Sequence, residues 1–275
     1  MERVPAKKAT MHHRLTAPLL GMSAFVGLAA FLACSSSSNT GGVGDVPETG
    51  TAPVPEAGTI DPGVDAGPDP LLGCTKDPGA PAGTVDPNAA TDPTGGADKF
   101  TLALALAGFP AGSGKLTAAI STEKSSIKCV LDETAAPISV ANFVGLARGT
   151  RPYKINGKWK LGHFYDGLTW HRVIPDFVIQ GGDPSGDGTG GPGYDLVKEN
   201  QIDEPLGTLA MAASKLVSGS QFYIVVGKGP AAAYNVFGTC TTDNAIAIAN
   251  VPRDTTSNMP NTPVHMLKVS IARCP

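Results

Sequence analysis

From residue 98 onward, apolar residues recur in short runs that predict strands. Residues 99–106 and 126–131 alternate in the manner of strands, and the Gly-Ser-Gly segment at 112–114 indicates a loop between them. Further short apolar runs, each bounded by Gly, Pro, Asn or Asp, cover residues 169–174, 177–179, 208–212, 221–226, 236–237 and 265–271. Many short strands with few helices are typical of a closed antiparallel barrel or a sandwich.

One segment of this region has the period of a helix instead. Between residues 138 and 147 the positions of Val140, Phe143, Val144 and Ala147 fall on a single helical face. Gly149 follows at the position where a glycine commonly ends a helix. We therefore expect one clear amphipathic helix after the first strands.

The first 33 residues have the pattern of an export signal. Four basic residues precede an apolar run over 15–33, which ends at Cys34 and a run of serines. This ending resembles the signal of bacterial lipoproteins, in which the cysteine is acylated and becomes the new N-terminus. Phe31 and Leu32 depart from the residues that this signal favours, so ordinary cleavage and an uncleaved anchor are the alternatives. We expect an exported lipoprotein of the cell envelope, anchored to a membrane through Cys34 and facing the periplasm or the cell surface.

Residues 34–97 are predicted to be a disordered tether. They consist mainly of Gly, Pro, Ala, Thr and Asp, and their few large apolar residues include Ile60, Leu71 and Leu72. Such a segment buries too little apolar surface to offset the entropy lost on ordering. The sequence thus predicts three parts: a signal over 1–33, a tether over 34–97 and a folded domain over 98–275.

The charge balance limits the possible partners. The whole chain has a net charge of -3, and removal of residues 1–33, with four basic residues and one acidic residue, leaves -6. An acidic chain without clustered Lys and Arg is unsuited to a nucleic-acid surface. We therefore expect no nucleic acid as a partner.

Three sequence blocks carry the most specific signal. The first covers residues 164–184 and contains Trp-His-Arg at 170–172; the second covers 207–212 and 218–225, and the third covers 234–238. In this order and combination the blocks resemble the cyclophilin family of peptidyl-prolyl cis-trans isomerases, and the resemblance runs from about Lys115 to Cys274.

The resemblance implies a mainly β fold, a closed eight-stranded antiparallel barrel capped by two helices, with a shallow groove for an Xaa-Pro segment. It gives Arg172 the catalytic role. The positions that it assigns to the substrate groove are His171, Phe177, Val178, Gln180, Ala212, Gln221, Tyr223 and Tyr234. The chain departs from the family at 226–233, where many members carry a tryptophan, and at Tyr234, where some have histidine. These departures put cyclosporin binding in question and leave catalysis on simple peptides largely untouched.

The chemistry of prolyl isomerisation suits these residue types. Rotation about an Xaa-Pro bond must break amide resonance, against a barrier of about 18–20 kcal/mol. A donor directed at the twisted amide stabilises it more than either planar form, and the guanidinium of Arg172 is a permanently charged, rigid fork of donors. Phe177, Val178 and Tyr223 can form an apolar slot for the proline ring. The reaction requires no metal or cofactor, and none is expected.

The cysteines predict disulfides in an exported chain. Apart from Cys34 there are four, Cys74, Cys129, Cys240 and Cys274, which allow three pairings. The resemblance favours Cys129 with Cys240, because the matching strands are neighbours, and leaves Cys74 with Cys274.

The histidines have no metal-ligand spacing. The glycine-rich segment at 186–191 matches the residue pattern of a dinucleotide-binding fingerprint but not its structural context, because a proline and a glycine follow where a helix should begin.

Two function classes stay open at this point. The first is an enzyme that accelerates prolyl isomerisation in exported proteins, acting as a monomer on proline-containing polypeptides. The second is a prolyl-peptide binding module or holdase on the same fold, which has no need of Arg172. A hydrolase is disfavoured because no Gly-x-Ser-x-Gly or Cys/His arrangement is present.

Overall fold

The structure, a computed structural model, describes residues 69–231 and 234–275. The predicted export signal, Cys34 and the tether up to residue 68 lie outside these residues. No helix within the two described ranges is long and apolar enough to cross a membrane.

The fold is mainly β, with a few short helices. The strands are β1 (Thr75–Lys76), β2 (Lys115–Ser121), β3 (Ser126–Leu131), β4 (Tyr153–Ile155), β5 (Lys158–Lys160), β6 (Arg172–Ile174), β7 (Val178–Gly181), β8 (Asp195–Leu196), β9 (Thr208–Ala213), β10 (Val217–Val225), β11 (Val236–Cys240) and β12 (Lys268–Cys274). The helices are α1 (Leu102–Ala105), α2 (Pro137–Arg148) and α3 (Asp243–Ala249).

Ten of the strands form one antiparallel sheet. Its order is β1-β12-β2-β3-β11-β9-β10-β7-β6, and β8 pairs with β10 beside this path. Strands β4 and β5 form a separate hairpin. Among the described residues no ladder joins β6 to the far end of the sheet, so the closed eight-stranded barrel stays a prediction, whereas the antiparallel, mainly β architecture is observed.

The expected helix and most of the expected strands are present, and one expectation was wrong. The strand expected over 126–131 is β3, and the expected helix is α2, which ends at Gly149 in a left-handed conformation with φ of 78°. Residues 99–106, expected as a strand, instead contain the short helix α1. Their Leu-Ala alternation fits a strand pattern, yet both residues are strong helix formers, and the Thr101 side chain caps the helix by accepting from the Leu104 amide.

The main core lies between the sheet and α2. The Phe143 ring on α2 is fully buried, and its centroid is 5.0 Å from the Tyr165 ring, 5.4 Å from Phe222 and 5.3 Å from Phe237. Aromatic groups at these separations contribute both buried area and favourable ring geometry. The aromatic cluster thus fixes the inner face of β10 and β11 against the helix.

Residues 69–97 belong to the folded unit, which corrects the boundary predicted at residue 98. Strand β1 pairs with β12, and a disulfide joins Cys74 to Cys274. The Asp77 carboxylate accepts two hydrogen bonds from the Arg148 guanidinium, both at 2.8 Å. The prediction of disorder was wrong for this stretch because a disulfide, buried ion pairs and the buried Leu71 side chain hold it in place.

The second disulfide joins Cys129 of β3 to Cys240 of β11, which are directly paired across the two strands. Both pairings are those that the family resemblance favours.

Candidate functional site

Strand register brings the candidate site residues into one row. Arg172 on β6 is paired with Gln180 on β7, and Gln180 is paired in turn with Tyr223 on β10. Directly paired residues of an antiparallel sheet project their side chains from the same face. Three side chains that are up to 51 positions apart in sequence are therefore neighbours on one face of the sheet.

The alternation of each strand separates this face from the main core. On β7, Val178 and Gln180 lie on the site face, whereas Ile179 between them belongs to the main core. On β10, Tyr223 lies on the site face and Phe222 in the main core. The site face has its own small apolar cluster, which comprises Val178, Ala210, Tyr223, Val225 and Val236, with Phe177, Ala212 and Tyr234 packed against it.

A chain of side-chain hydrogen bonds connects Arg172 to a glycine-rich loop. Arg172 Nη1 donates to Gln180 Oε1 at 3.3 Å, and Gln180 Nε2 donates to Gln221 Oε1 at 3.0 Å. Gln221 Nε2 then donates to the carbonyls of Gly188 and Gly190, at 3.0 and 2.8 Å. The side-chain amides of Gln180 and Gln221 are each hydrogen-bonded through both the oxygen and the nitrogen. The group that holds the Arg172 guanidinium is therefore itself held in place.

An open cavity of about 190 Å³ lies beside the Arg172 guanidinium. The residues that line it are Arg172, Phe177, Val178, Gln180, Ala212, Ala213, Tyr223, Pro230 and Tyr234. The Arg172 guanidinium is 5.8 Å from the centroid of the Phe177 ring, and the Tyr223 and Tyr234 rings meet edge to face at 5.5 Å. The cavity therefore combines one cation with an apolar surface.

The turn between β6 and β7 places Phe177 at this cavity. Asp176 has a positive φ of 57°, which asparagine and aspartate tolerate better than most residues. A Cβ on Gly227 would lie 2.2 Å from the Asp176 carbonyl oxygen, so only glycine allows the loop after β10 to approach this turn. The amides of Val226 and Lys228 donate to the carbonyls of Phe177 and Asp176, both at 2.9 Å, and fix the turn.

A second cavity, of about 330 Å³, adjoins the first. The two share Gln180, Ala212 and Ala213, so they form one continuous groove along the sheet face. Gln221 lines this second cavity and does not line the first. Of the predicted groove residues, all but His171 line one of the two cavities.

His171 is buried, with 5% of its surface exposed, and lines neither cavity. Burial lowers the pKa of its imidazole, and the nearby Asp183 carboxylate opposes that shift. The role of His171 as a groove residue therefore stays a prediction.

Asp183 is a site residue that sequence reasoning missed. Its buried carboxylate accepts hydrogen bonds from the amides of Ser185, Asp187 and Gly188, at 2.8, 3.1 and 2.5 Å. These bonds shape the loop whose carbonyls hold Gln221. The signal available in the sequence was an aspartate directly before a Pro-Ser-Gly turn, a position where its side chain commonly binds backbone amides.

Glu204 is the second residue that was missed. It is 6% exposed, and its Oε2 accepts a hydrogen bond from the hydroxyl of Tyr223 on the cavity wall. Burial raises the pKa of Tyr223, and the hydrogen bond to Glu204 raises it further. The Tyr223 hydroxyl is therefore a protonated donor over the whole physiological pH range.

No group of three or more His, Cys, Asp or Glu side chains within the described ranges is arranged to hold a metal ion.

Comparison with known proteins places these features in a family. Residues 117–271 match the family model described as "Cyclophilin type peptidyl-prolyl cis-trans isomerase/CLD". Arg172, Glu204 and every lining residue of the first cavity lie inside the matched segment.

Several bacterial proteins are similar in sequence. The peptidyl-prolyl cis-trans isomerase A of Mycobacterium tuberculosis is 50% identical over 121 residues, which cover 42% of this chain and 66% of that protein. The protein named "Probable peptidyl-prolyl cis-trans isomerase A" of Mycobacterium leprae is 39% identical over 168 residues, or 57% of this chain and 92% of the other. Peptidyl-prolyl cis-trans isomerase B of Bacillus subtilis is 47% identical over 113 residues, or 39% of this chain and 70% of that protein.

A solved structure shares the fold. The crystal structure of a Cryptosporidium parvum cyclophilin type peptidyl-prolyl cis-trans isomerase aligns with a TM-score of 0.50 and 25% sequence identity. The alignment covers 58% of this chain and 99% of the other.

Proposed function

Because this chain belongs to the cyclophilin-type peptidyl-prolyl cis-trans isomerase family, we propose that it catalyses rotation about Xaa-Pro bonds in polypeptides. The observation that carries this proposal is the position of Arg172. Its guanidinium lies at a small apolar cavity and is held by Gln180, which the Gln221 amide fixes in turn.

The proposed reaction follows from this geometry. The proline ring occupies the cavity against Phe177, Val178 and Tyr223, which holds the prolyl bond beside the guanidinium. As the bond twists, the prolyl nitrogen regains its lone pair and the carbonyl loses conjugation. The Arg172 N–H groups donate to this twisted amide more strongly than to either planar form, which lowers the barrier without a covalent intermediate.

Preorganisation makes the guanidinium effective. Donors that are already oriented toward the position where charge develops need no reorganisation during the reaction. In this site the orientation is fixed through Gln180, Gln221 and the loop that Asp183 shapes. The same groove continues past Ala212 and Ala213 into the second cavity, which can receive the residues preceding the proline.

The substrates that we propose are exported proteins at the cell envelope. The support is the sequence alone: a basic start, an apolar run and Cys34 before a serine tract, as in lipoprotein signals. An acyl chain on Cys34 would hold a monomeric isomerase domain at a membrane, where newly exported chains fold. Uncatalysed prolyl isomerisation takes tens of seconds, slow enough to limit their folding.

Exchange spectroscopy by NMR on an Xaa-Pro peptide tests this function directly. The purified protein at substoichiometric concentration should raise the cis-trans exchange rate of the prolyl bond by orders of magnitude over the uncatalysed rate. Binding of the peptide with shifted resonances but an unchanged exchange rate would contradict the enzyme and favour the prolyl-peptide binding module.

A further inference from the structure

We infer that Glu204 is a positioning residue of the isomerase site, which acts through Tyr223 to hold the wall and rim of the proline cavity. This inference rests on the proposed function. Glu204 does not line the cavity itself, and its effect on substrate is carried by the groups that it holds.

The contact between Glu204 and Tyr223 is buried. The two residues are 6% and 4% exposed, and the Tyr223 hydroxyl donates to Glu204 Oε2. A carboxylate is costly to bury unless hydrogen bonds compensate it, and a hydrogen bond to a charged acceptor is among the stronger ones in proteins. The contact is therefore an energetically significant constraint on the tyrosine and not an incidental approach.

The hydrogen bond to Glu204 restricts rotation of the Tyr223 side chain about χ1, which is the movement that would change the shape of the cavity. The tyrosine hydroxyl lies on the axis of the ring, so turning about χ2 leaves it in place, whereas turning about χ1 swings it away. A fixed hydroxyl therefore limits the swing of the Tyr223 ring about χ1. Tyr223 meets Tyr234 edge to face at an interplanar angle of 86°, and both rings line the cavity.

Glu204 also contacts the rim of the cavity. A Cβ on Gly229 would lie 2.2 Å from the Glu204 carbonyl oxygen and 3.2 Å from the Glu204 Cβ, so the loop backbone at Gly229 lies directly against this residue. The next residue, Pro230, lines the cavity. One glutamate thus links the wall, through its carboxylate, to the rim, through its backbone.

The expected kinetic signature is a change in binding. Glu204 acts on the walls that receive the proline ring, through the Tyr223 hydroxyl and the loop backbone at Gly229. Replacement by leucine should raise KM by about tenfold, the effect of losing one charge-assisted hydrogen bond, and change kcat by less than about threefold. A merely structural role would lower the melting temperature and leave both constants of the folded protein unchanged.

A double-mutant cycle on the full chain tests the inference. The variants are Glu204→Leu, Tyr223→Phe and the double variant, assayed for kcat and KM on an Xaa-Pro peptide, with melting temperatures measured alongside. Because Glu204 acts through the tyrosine hydroxyl, Glu204→Leu should change KM by less than about twofold in the Tyr223→Phe background. Glu204→Gln, which keeps an acceptor oxygen, should retain a KM near that of the unmodified protein.

Glu133→Leu is the matched control. Glu133 forms an ion pair with Arg273 of β12, remote from β6 and β7 in the sheet order, so its loss should lower stability without a change in KM. If Glu204→Leu cannot be purified folded, the inference is tested by Glu204→Gln and Tyr223→Phe, of which only the second should raise KM.

Three results would overturn the inference. These are a Glu204→Leu protein with unchanged KM, a Tyr223→Phe protein with unchanged KM, and KM effects of the two substitutions that simply multiply. An unmodified protein that does not accelerate the exchange of any Xaa-Pro peptide would instead overturn the proposed function, so the two failures are distinguishable.

Discussion

The segment ahead of the first long strand should be a required part of the fold, and Asp77 tests this most sharply. Arg148, at the end of α2, is 1% exposed in its side chain, and Asp77 is 14% exposed. Two hydrogen bonds at 2.8 Å join Asp77 to Arg148 Nε and Nη2. Asp77→Ala would leave a buried guanidinium without its counter-charge.

The size of the effect follows from this burial. Removing one partner of a buried ion pair costs about 3–5 kcal/mol. Arg148 keeps the carbonyls of Ala105 and Ala107 as acceptors, so the lower end, about 3 kcal/mol, is expected. For a domain of this size that corresponds to a melting temperature lower by roughly 6–12 °C.

Urea unfolding and thermal unfolding of the oxidised protein measure this directly. Asp98→Ala is the control, because Asp98 forms its ion pair with Lys99 at the surface, where both side chains are more than half exposed. That substitution should leave the unfolding midpoint unchanged. Equal midpoints for Asp77→Ala and Asp98→Ala would refute the reasoning and restore a folded domain that begins near residue 98.

Two further predictions rest on the structure, and a third, on Cys34, rests on the sequence. Phe177→Ala should raise KM several-fold with a smaller change in kcat, because the ring contacts the proline and not the twisting bond. Phe177→Leu should retain most of the affinity, and equal KM values for the two variants would contradict this prediction. Replacing Cys74 and Cys274 together by alanine should lower the free energy of unfolding by about 2–4 kcal/mol, as measured by urea titration. Cys34→Ser should abolish partition into detergent, and intact mass spectrometry should find acyl chains on Cys34 of the unmodified protein; a free Cys34 thiol would contradict the anchor.

Local sequence patterns predicted helices and strands correctly where a single periodicity was clear. Helix α2 was predicted from its apolar period and its glycine stop, and β3 from strict alternation. Residues 99–106 show the limit of that approach, because Leu and Ala in alternation satisfy a strand pattern and also form helices well. Helix propensity and the Thr101 cap favour the helix, and the strand alternation alone does not contain that information.

The sequence predicted most of the residues that line the site but not the hydrogen bonds that hold them in place. The family motifs identified Arg172 and most residues of the cavity, since each lies in a short ordered block. Asp183 was missed although its hydrogen-bond partners are local, because its turn signal does not reveal that the loop holds Gln221. Glu204 was missed because its contact with Tyr223 depends on how the chain folds back, which spacing along the chain does not reveal. Residues 69–97 were predicted to be disordered although the expected Cys74–Cys274 disulfide already linked residue 74 to the folded domain; the ion pair of Asp77 with Arg148, 71 positions away, was not predicted.

The central claim is that a preorganised Arg172 guanidinium stabilises the twisted prolyl amide. The kcat/KM of Arg172→Ala on an Xaa-Pro peptide, measured beside Arg172→Lys and the remote control Arg273→Ala, tests it most directly. We predict a loss of about 10²- to 10³-fold for Arg172→Ala with an unchanged melting temperature, and only partial recovery in Arg172→Lys, because an ammonium lacks the planar fork. A folded Arg172→Ala protein with full kcat/KM would contradict the account.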